Sequence, residues 1–113
     1  MPEPRLASGL WVAAYLARLR QAAIPAYLTR RGDDTAGAVI VKLALLDGTA
    51  RAFVRRWDFE SDTRCWSVLI DGTEAEVDAA LAREATRDRD LWLIEVEDRQ
   101  GRSLLEDTGL NLG

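Results

Sequence analysis

Residues 36–57 read AGAVIVKLALLDGTARAFVRRW, and this stretch decides the fold. Asp47-Gly48 is a hairpin signal between two strand-like runs, because both residues tolerate the left-handed backbone of tight turns. Ala36–Leu46 reads as the outgoing strand and Thr49–Trp57 as the return. If Asp47 and Gly48 are the whole loop, Leu46 faces Thr49, Ala44 faces Arg51, Lys42 faces Phe53 and Ile40 faces Arg55. One face of the hairpin is then Val39, Val41, Leu43, Leu45, Ala50, Ala52 and Val54, suited to a covering helix. The other is Ile40, Lys42, Ala44, Arg51, Phe53, Arg55 and Trp57, basic with aromatics between.

Working outward, Leu10–Ile24 has the helical period, with Trp11, Tyr15, Leu19 and Ala22 on one side. Ser8 is the expected N-cap, and Pro25 ends the helix by restricting Ile24. Ala26–Arg31 reads as a strand closed by the turn-rich Gly32-Asp33-Asp34-Thr35. After a polar loop over Asp58–Thr63, Cys65–Ile70 alternates, with Trp66, Val68 and Ile70 on one side. Asp71-Gly72 closes that strand, and Thr73 with Glu76 has the spacing of a capping box opening a second helix. Leu91–Glu97 is the last strand, with Trp92, Ile94 and Val96 inward and Glu95 and Glu97 on the opposite face. Asp98–Gly101 is a turn, Ser103–Glu106 a short strand or helical turn, and the remainder a loose tail. The expected architecture is one α+β domain over 1–113, ordered from 6 to 105, in the order α-β-β-β-β-α-β. Its sheet is mostly antiparallel, with four to five strands, two helices packed on one face and the other face open.

The chain has 113 residues, 48% apolar and 30% charged, the composition of a globular domain large enough to bury a core without metals or disulfides. No apolar run nears the roughly 20 residues needed to span a bilayer. The N-terminal residues carry no cleavage pattern of a secretory leader, and Cys65, the sole cysteine, has no internal partner. Together these point to the cytoplasm and away from membranes. There is no histidine, which excludes serine–histidine and cysteine–histidine nucleophile pairs and argues against structural zinc. The net charge of −4 is uneven: residues 1–57 carry nine basic groups and four acids, residues 58–113 six basic groups and fifteen acids. Either the two halves interleave and neutralise each other, or one presents an electrostatic surface to a partner.

Three constellations could carry function. Lys42, Arg51, Phe53, Arg55 and Trp57 form the basic-aromatic face, which suits a protein partner, a second copy of the chain, or single-stranded nucleic acid. Its bland alternative is a solvated face whose arginine stems cover the aromatics. Glu95 and Glu97 point the same way from one strand and could hold Mg²⁺ for a nuclease, or pair across the sheet with Arg51 or Arg55. Cys65, beside Arg64 and Trp66, is either a reactive thiol or a small buried hydrophobe. No glycine-rich phosphate loop is present, and no cofactor is implied.

Residues 11–16 (WVAAYL), 37–42 (GAVIVK) and above all 88–102 (DRDLWLIEVEDRQGR) resemble a family of small alphaproteobacterial proteins of unknown function, DUF1491. The likeness runs from about Leu6 to Leu105, with Arg89 standing where the family pattern has proline. It implies a bacterial cytoplasmic protein and transfers no activity, cofactor or site residue. The expected function is a non-enzymatic interaction module using the basic-aromatic face, with nucleic-acid binding or magnesium-dependent cleavage as the alternative.

Overall fold

Strand β2 (Val39–Ala44) is apolar at both parities apart from Lys42, so it has no face to give to water, and all six of its residues are buried. Apolar runs of this kind belong to strands covered on both sides. The computed structural model describes residues 7–58 and 63–106, without the side chains of 56–58, 63 and 64. Around β2 stand α1 (Ser8–Gln21), β1 (Ala26–Arg30), β3 (Thr49–Asp58), β4 (Thr63–Thr73), α2 (Glu74–Arg87) and β5 (Trp92–Glu97). The order α-β-β-β-β-α-β is the expected one. The expected tail beyond Glu106 lies outside the described residues.

The five strands form one sheet in the order β1-β5-β2-β3-β4. Every pairing is antiparallel except β2 with β5, which is parallel. Because β5 returns through α2, it inserts between β1 and β2 and carries acidic residues into the basic half of the chain. The two halves interleave, which accounts for part of the charge asymmetry.

The helices do not share a face. Trp11, Val12, Tyr15 and Leu19 of α1 pack with Val39, Val41, Leu43, Trp92, Ile94 and Val96. Val77 and Leu81 of α2 pack with Ile40, Ala50 and Ala52. Alternate β2 residues point to opposite sides, so α1 and α2 sandwich the sheet. The one-face arrangement fails because β2 is apolar on both parities and each side must be covered.

The hairpin register also differs from the expected one by a single residue. Ala44 pairs with Ala50, Lys42 with Ala52 and Ile40 with Val54, and the Leu45 N–H donates to the Thr49 carbonyl at 3.1 Å. The loop is therefore three residues, Leu46-Asp47-Gly48. Leu46 (φ 61°) and Gly48 (φ 91°) are both left-handed, and Asp47 Oδ1 accepts from Thr49 N–H at 2.9 Å. A one-residue slip moves every side chain of the return strand to the other face. Ala50, Ala52 and Val54 accordingly join Ile40, Lys42 and Ala44 beneath α2, while Arg51, Phe53 and Arg55 join Val39, Val41 and Leu43 on the α1 side.

A second slip in register occurs in β4. Ala52 pairs with Ile70 but Phe53 with Val68, leaving Leu69 as a bulge. The bulge separates Ile70, which packs beneath α2, from Trp66, which packs on the α1 side; they were expected to share a face.

The helix ends show where local chemistry decides. The α2 capping box is present: Thr73 Oγ1 accepts from Glu76 N–H at 3.1 Å and Glu76 Oε1 from Thr73 N–H at 3.2 Å. Ser8 does not cap α1. It is the first helical residue, and its hydroxyl donates to the Gly37 carbonyl at 2.6 Å. The helix stops before Pro25 in a Schellman turn, with Ile24 N–H to Leu19 O and Ala23 N–H to Arg20 O, both at 3.0 Å. Ala23 supplies the left-handed residue at φ 59°.

Candidate functional site

Lys42 is only 4% exposed and lies on the α2 side. Register places it opposite Glu95 on β5, and the first turns of α2 deliver two more carboxylates. Its Nζ lies 2.7 Å from Asp78 Oδ1, 2.9 Å from Glu74 Oε1 and 3.0 Å from Glu95 Oε1. Burial works to lower the lysine pKa, but the hydrogen bonds that the ammonium donates to Asp78, Glu74 and Glu95 outweigh it and hold it above the ordinary lysine range. A buried ammonium costs several kcal/mol to desolvate, so three partners are what this position requires. Glu97 shares the Glu95 face, as expected from their spacing. Its carboxylate hydrogen-bonds the Tyr27 hydroxyl, whose pKa that bond raises.

The α1 side is built differently. Here Arg51, Phe53 and Trp66 form one wall of a groove, and residues 101–106 form the other. The groove encloses about 610 Å³ and opens to solvent. Two contacts hold the second wall. Tyr15, fully buried, donates its hydroxyl to the Ser103 carbonyl at 2.7 Å, and burial pushes that hydroxyl well above the usual tyrosine range, so it remains a donor. Arg102 closes onto Asp98 with Nε to Oδ2 at 3.0 Å and Nη2 to Oδ1 at 3.1 Å, which holds the Asp98 carboxyl below its usual range. Leu105 anchors the segment in the α1 core. The Trp66 ring packs 5.3 Å from Trp11, which stacks on Tyr15 at 4.9 Å.

Two of the groove residues carry a buried N–H with no hydrogen-bond acceptor among the described residues: Arg51 Nε and Trp66 Nε1. Arg51 Nε does lie 3.3 Å from Asp71 Oδ2. That approach is an ionic contact without hydrogen-bond alignment, so it screens the charge and leaves the N–H unmatched. Each orphan donor costs about 1–3 kcal/mol relative to a satisfied one.

Of the expected basic-aromatic face, the fold keeps Arg51, Phe53 and Arg55 on one side and turns Lys42 to the other. Trp57 pairs with Arg64 in the ladder, and its side chain lies outside the described residues. Glu95 meets Lys42 rather than Arg51 or Arg55, and Arg51 meets Asp71. The lysine ammonium occupies the centre that the nearby carboxylates would offer to a cation. Cys65 is exposed, not a buried hydrophobe. Trp66, Arg102, Leu104 and Leu105 escaped the sequence reading as groove residues. Trp66 carried a signal, since it sits two places from Val68 on an alternating strand. The 101–106 wall carried none, because its position depends on Tyr15, far away in the chain.

A family model, Protein of unknown function (DUF1491), matches residues 6–106. A crystal structure of a DUF1491 family protein from Caulobacter crescentus is 37% identical, covering 89% of this chain and 95% of that one, with a TM-score of 0.82. An NMR structure of a DUF1491 family protein from the same organism is 38% identical over 88% of this chain and 92% of that one, with a TM-score of 0.77. A solution structure of a protein from A. tumefaciens is 28% identical over 83% and 86% of the two chains, with a TM-score of 0.70. No curated protein matches the chain.

Proposed function

We propose that this chain, which belongs to the DUF1491 family of proteins of unknown function, is a cytoplasmic, non-enzymatic binding module whose working surface is the groove on the α1 side of its sheet. The observation that carries this reading is the solvent-open groove of about 610 Å³ lined by Arg51, Phe53 and Trp66 of the sheet and by residues 101–106. The groove volume falls within the roughly 300–1,000 Å³ of small-molecule sites, and its lining sets Phe53, Trp66, Leu104 and Leu105 among Arg51, Arg102, Ser103 and Glu106. The lone cysteine supports the cytoplasm. Among the described residues, no helix is long and apolar enough to cross a membrane.

The nucleic-acid alternative requires a row of cations beside the aromatic platforms. Lys42 lies on the other side of the sheet and Arg102 is closed onto Asp98, so the groove does not offer that row. Titrating the labelled protein with two uncharged amphiphiles, 1-octanol and acetanilide, tests the surface itself. Amide shifts should gather on residues 101–105 and on the Trp66 indole. Shifts confined to the exposed edge at Tyr27 and Leu28, or scattered over the molecule, would refute the assignment of the groove.

A further inference from the structure

Beyond the groove beside β3 and β4, we infer a second binding site at the β1 edge of the sheet. There an extended acidic peptide adds as a further strand, seating an aliphatic side chain between α1 and β1 and a carboxylate on Arg20. Strand β1 ends the sheet order, so one side of its backbone has no neighbouring strand. The ladder to β5 shows which groups lie on that side. The Glu97 N–H donates to the Pro25 carbonyl at 3.0 Å, and two places on, Tyr27 faces Glu95. Bonded pairs alternate along an antiparallel ladder, so Ala26 and Leu28 turn their N–H and C=O groups outward. Pro25 before them and the register shift after Leu28 confine the regular edge to Ala26, Tyr27 and Leu28.

The surface beside this edge is shaped for side chains. Leu16 and Arg20, one turn apart on α1, stand with Ile24, Ala26 and Leu28 around a groove of about 540 Å³. Ala26 packs against the α1 core, and Leu28, two residues on, shares its face. A residue of an added strand opposite Leu28 points the same way, into the groove. Arg20 is the only charged residue of this lining, and its guanidinium has no ion pair or hydrogen bond among the described residues. The acids of the neighbouring strand face the α2 side, Glu95 on Lys42 and Glu97 on the Tyr27 hydroxyl. An unpaired cation over an apolar groove complements a strand with an acid and an aliphatic residue at alternate positions, which share one face. A second copy of the chain is a poorer match. Strand β1 carries no acid and ends in Arg30, so self-pairing gathers arginines. An edge of Ala26, Tyr27 and Leu28 also falls short of the roughly 800 Å² per partner that a stable dimer buries.

The test titrates the ¹⁵N-labelled full chain with acetyl-Glu-Thr-Leu-Thr-Glu-amide, whose leucine and both glutamates share one face in either strand direction. The Ala26 and Leu28 amides should move downfield and exchange with solvent more slowly at saturation, while the Tyr27 amide, already paired with Glu95, keeps its rate. The same peptide with both glutamates replaced by glutamine should bind about threefold more weakly. Arg20→Gln should erase that difference while binding the glutamine peptide as the parent does, which also shows that the variant is folded. Unchanged exchange at Ala26 and Leu28 would overturn the strand addition. Equal binding of the two peptides by the parent would overturn the place of the carboxylate on Arg20. Protection of Ala26 and Leu28 that rises with protein concentration, without peptide, would make the occupant a second copy and overturn the peptide site. Shifts at Trp66 and residues 101–105 in place of β1 would put the peptide in the other groove and overturn this one.

Discussion

The two sides of the sheet treat buried polar groups in opposite ways. Beneath α2, one buried ammonium has three carboxylates within 3.0 Å. Beneath α1, the buried Arg51 Nε and Trp66 Nε1 have no aligned acceptor among the described residues. Both arrangements are costly to build, but only the first is complete. The difference is one of stability: a satisfied buried polar group adds to it, and an unsatisfied one subtracts from it. The packing agrees with this division. Small residues at Ala50 and Ala52 let α2 lie close to the sheet. On the other side α1 leaves a gap, which a short C-terminal segment encloses without filling.

Substitutions at the two sides should therefore have opposite consequences. The largest effect belongs to Lys42→Met, which leaves three carboxylates facing one another. Breaking a fully buried pair costs about 3–5 kcal/mol. Glu95, Glu74 and Asp78 are 28%, 44% and 58% exposed and can partly rehydrate, so a loss of about 1–3 kcal/mol is expected in urea unfolding. A variant as stable as the parent would mean that the ion cluster does not hold α2 to the sheet.

Next comes Tyr15→Phe, which removes the bond to the Ser103 carbonyl and leaves that carbonyl unmatched. A cost of about 1–2 kcal/mol is expected, together with faster hydrogen exchange in residues 101–105 than in the α2 helix. Equal exchange in the two regions would break the argument that Tyr15 sets the groove wall.

The pH profile should divide between the two sides. Lys42 has a raised folded pKa, so its contribution is complete below the ordinary lysine value of about 10.4 and is lost as pH rises through the folded value. Asp98 has a depressed folded pKa, so its contribution is complete above about pH 4 and is lost as pH falls through the folded value. Thermal melts across pH should show the alkaline limb flattened in Lys42→Met and the acid limb flattened in Asp98→Asn. If either substitution flattens the other's limb, the two sides are not independent.

The smallest effect is expected of Trp66→Phe. Removing an orphan donor offsets the packing lost with the smaller ring, so stability should stay within about 1 kcal/mol of the parent. A loss above about 2 kcal/mol would show that the indole N–H is satisfied in the folded protein.

Much of the fold was legible from local patterns. The helical period of Leu10–Ile24, the Thr73/Glu76 capping box and the shared face of Glu95 and Glu97 all depend on residues within a few positions of one another. The hairpin was legible as a hairpin, yet its register was not. Asp47-Gly48 read as the whole loop makes Leu46 the last strand residue, whereas the structure puts Leu46 in the loop with a left-handed backbone that costs leucine about 1–2 kcal/mol. The chain accepts that strain, because the resulting register buries Ala50 and Ala52 beneath α2. The candidate residues followed the register: Arg51 and Phe53 stay together on the α1 side, Lys42 lies on the α2 side, and the bulge at Leu69 parts Trp66 from Ile70, with which it was expected to share a face. One clue in the sequence did point to the sandwich. A strand that is apolar on both parities needs two covers, and Val39–Ala44 is such a strand.

By itself, then, the sequence determined the family, the order of elements and the chemistry of their ends, because each is encoded in contiguous residues whose geometry is local. Tertiary structure decided which face each strand residue occupies, which acids meet Lys42, and which donors lack an acceptor. Those outcomes turn on a three-residue loop and a one-residue bulge, whose local cost is offset only by burial between segments distant in the chain.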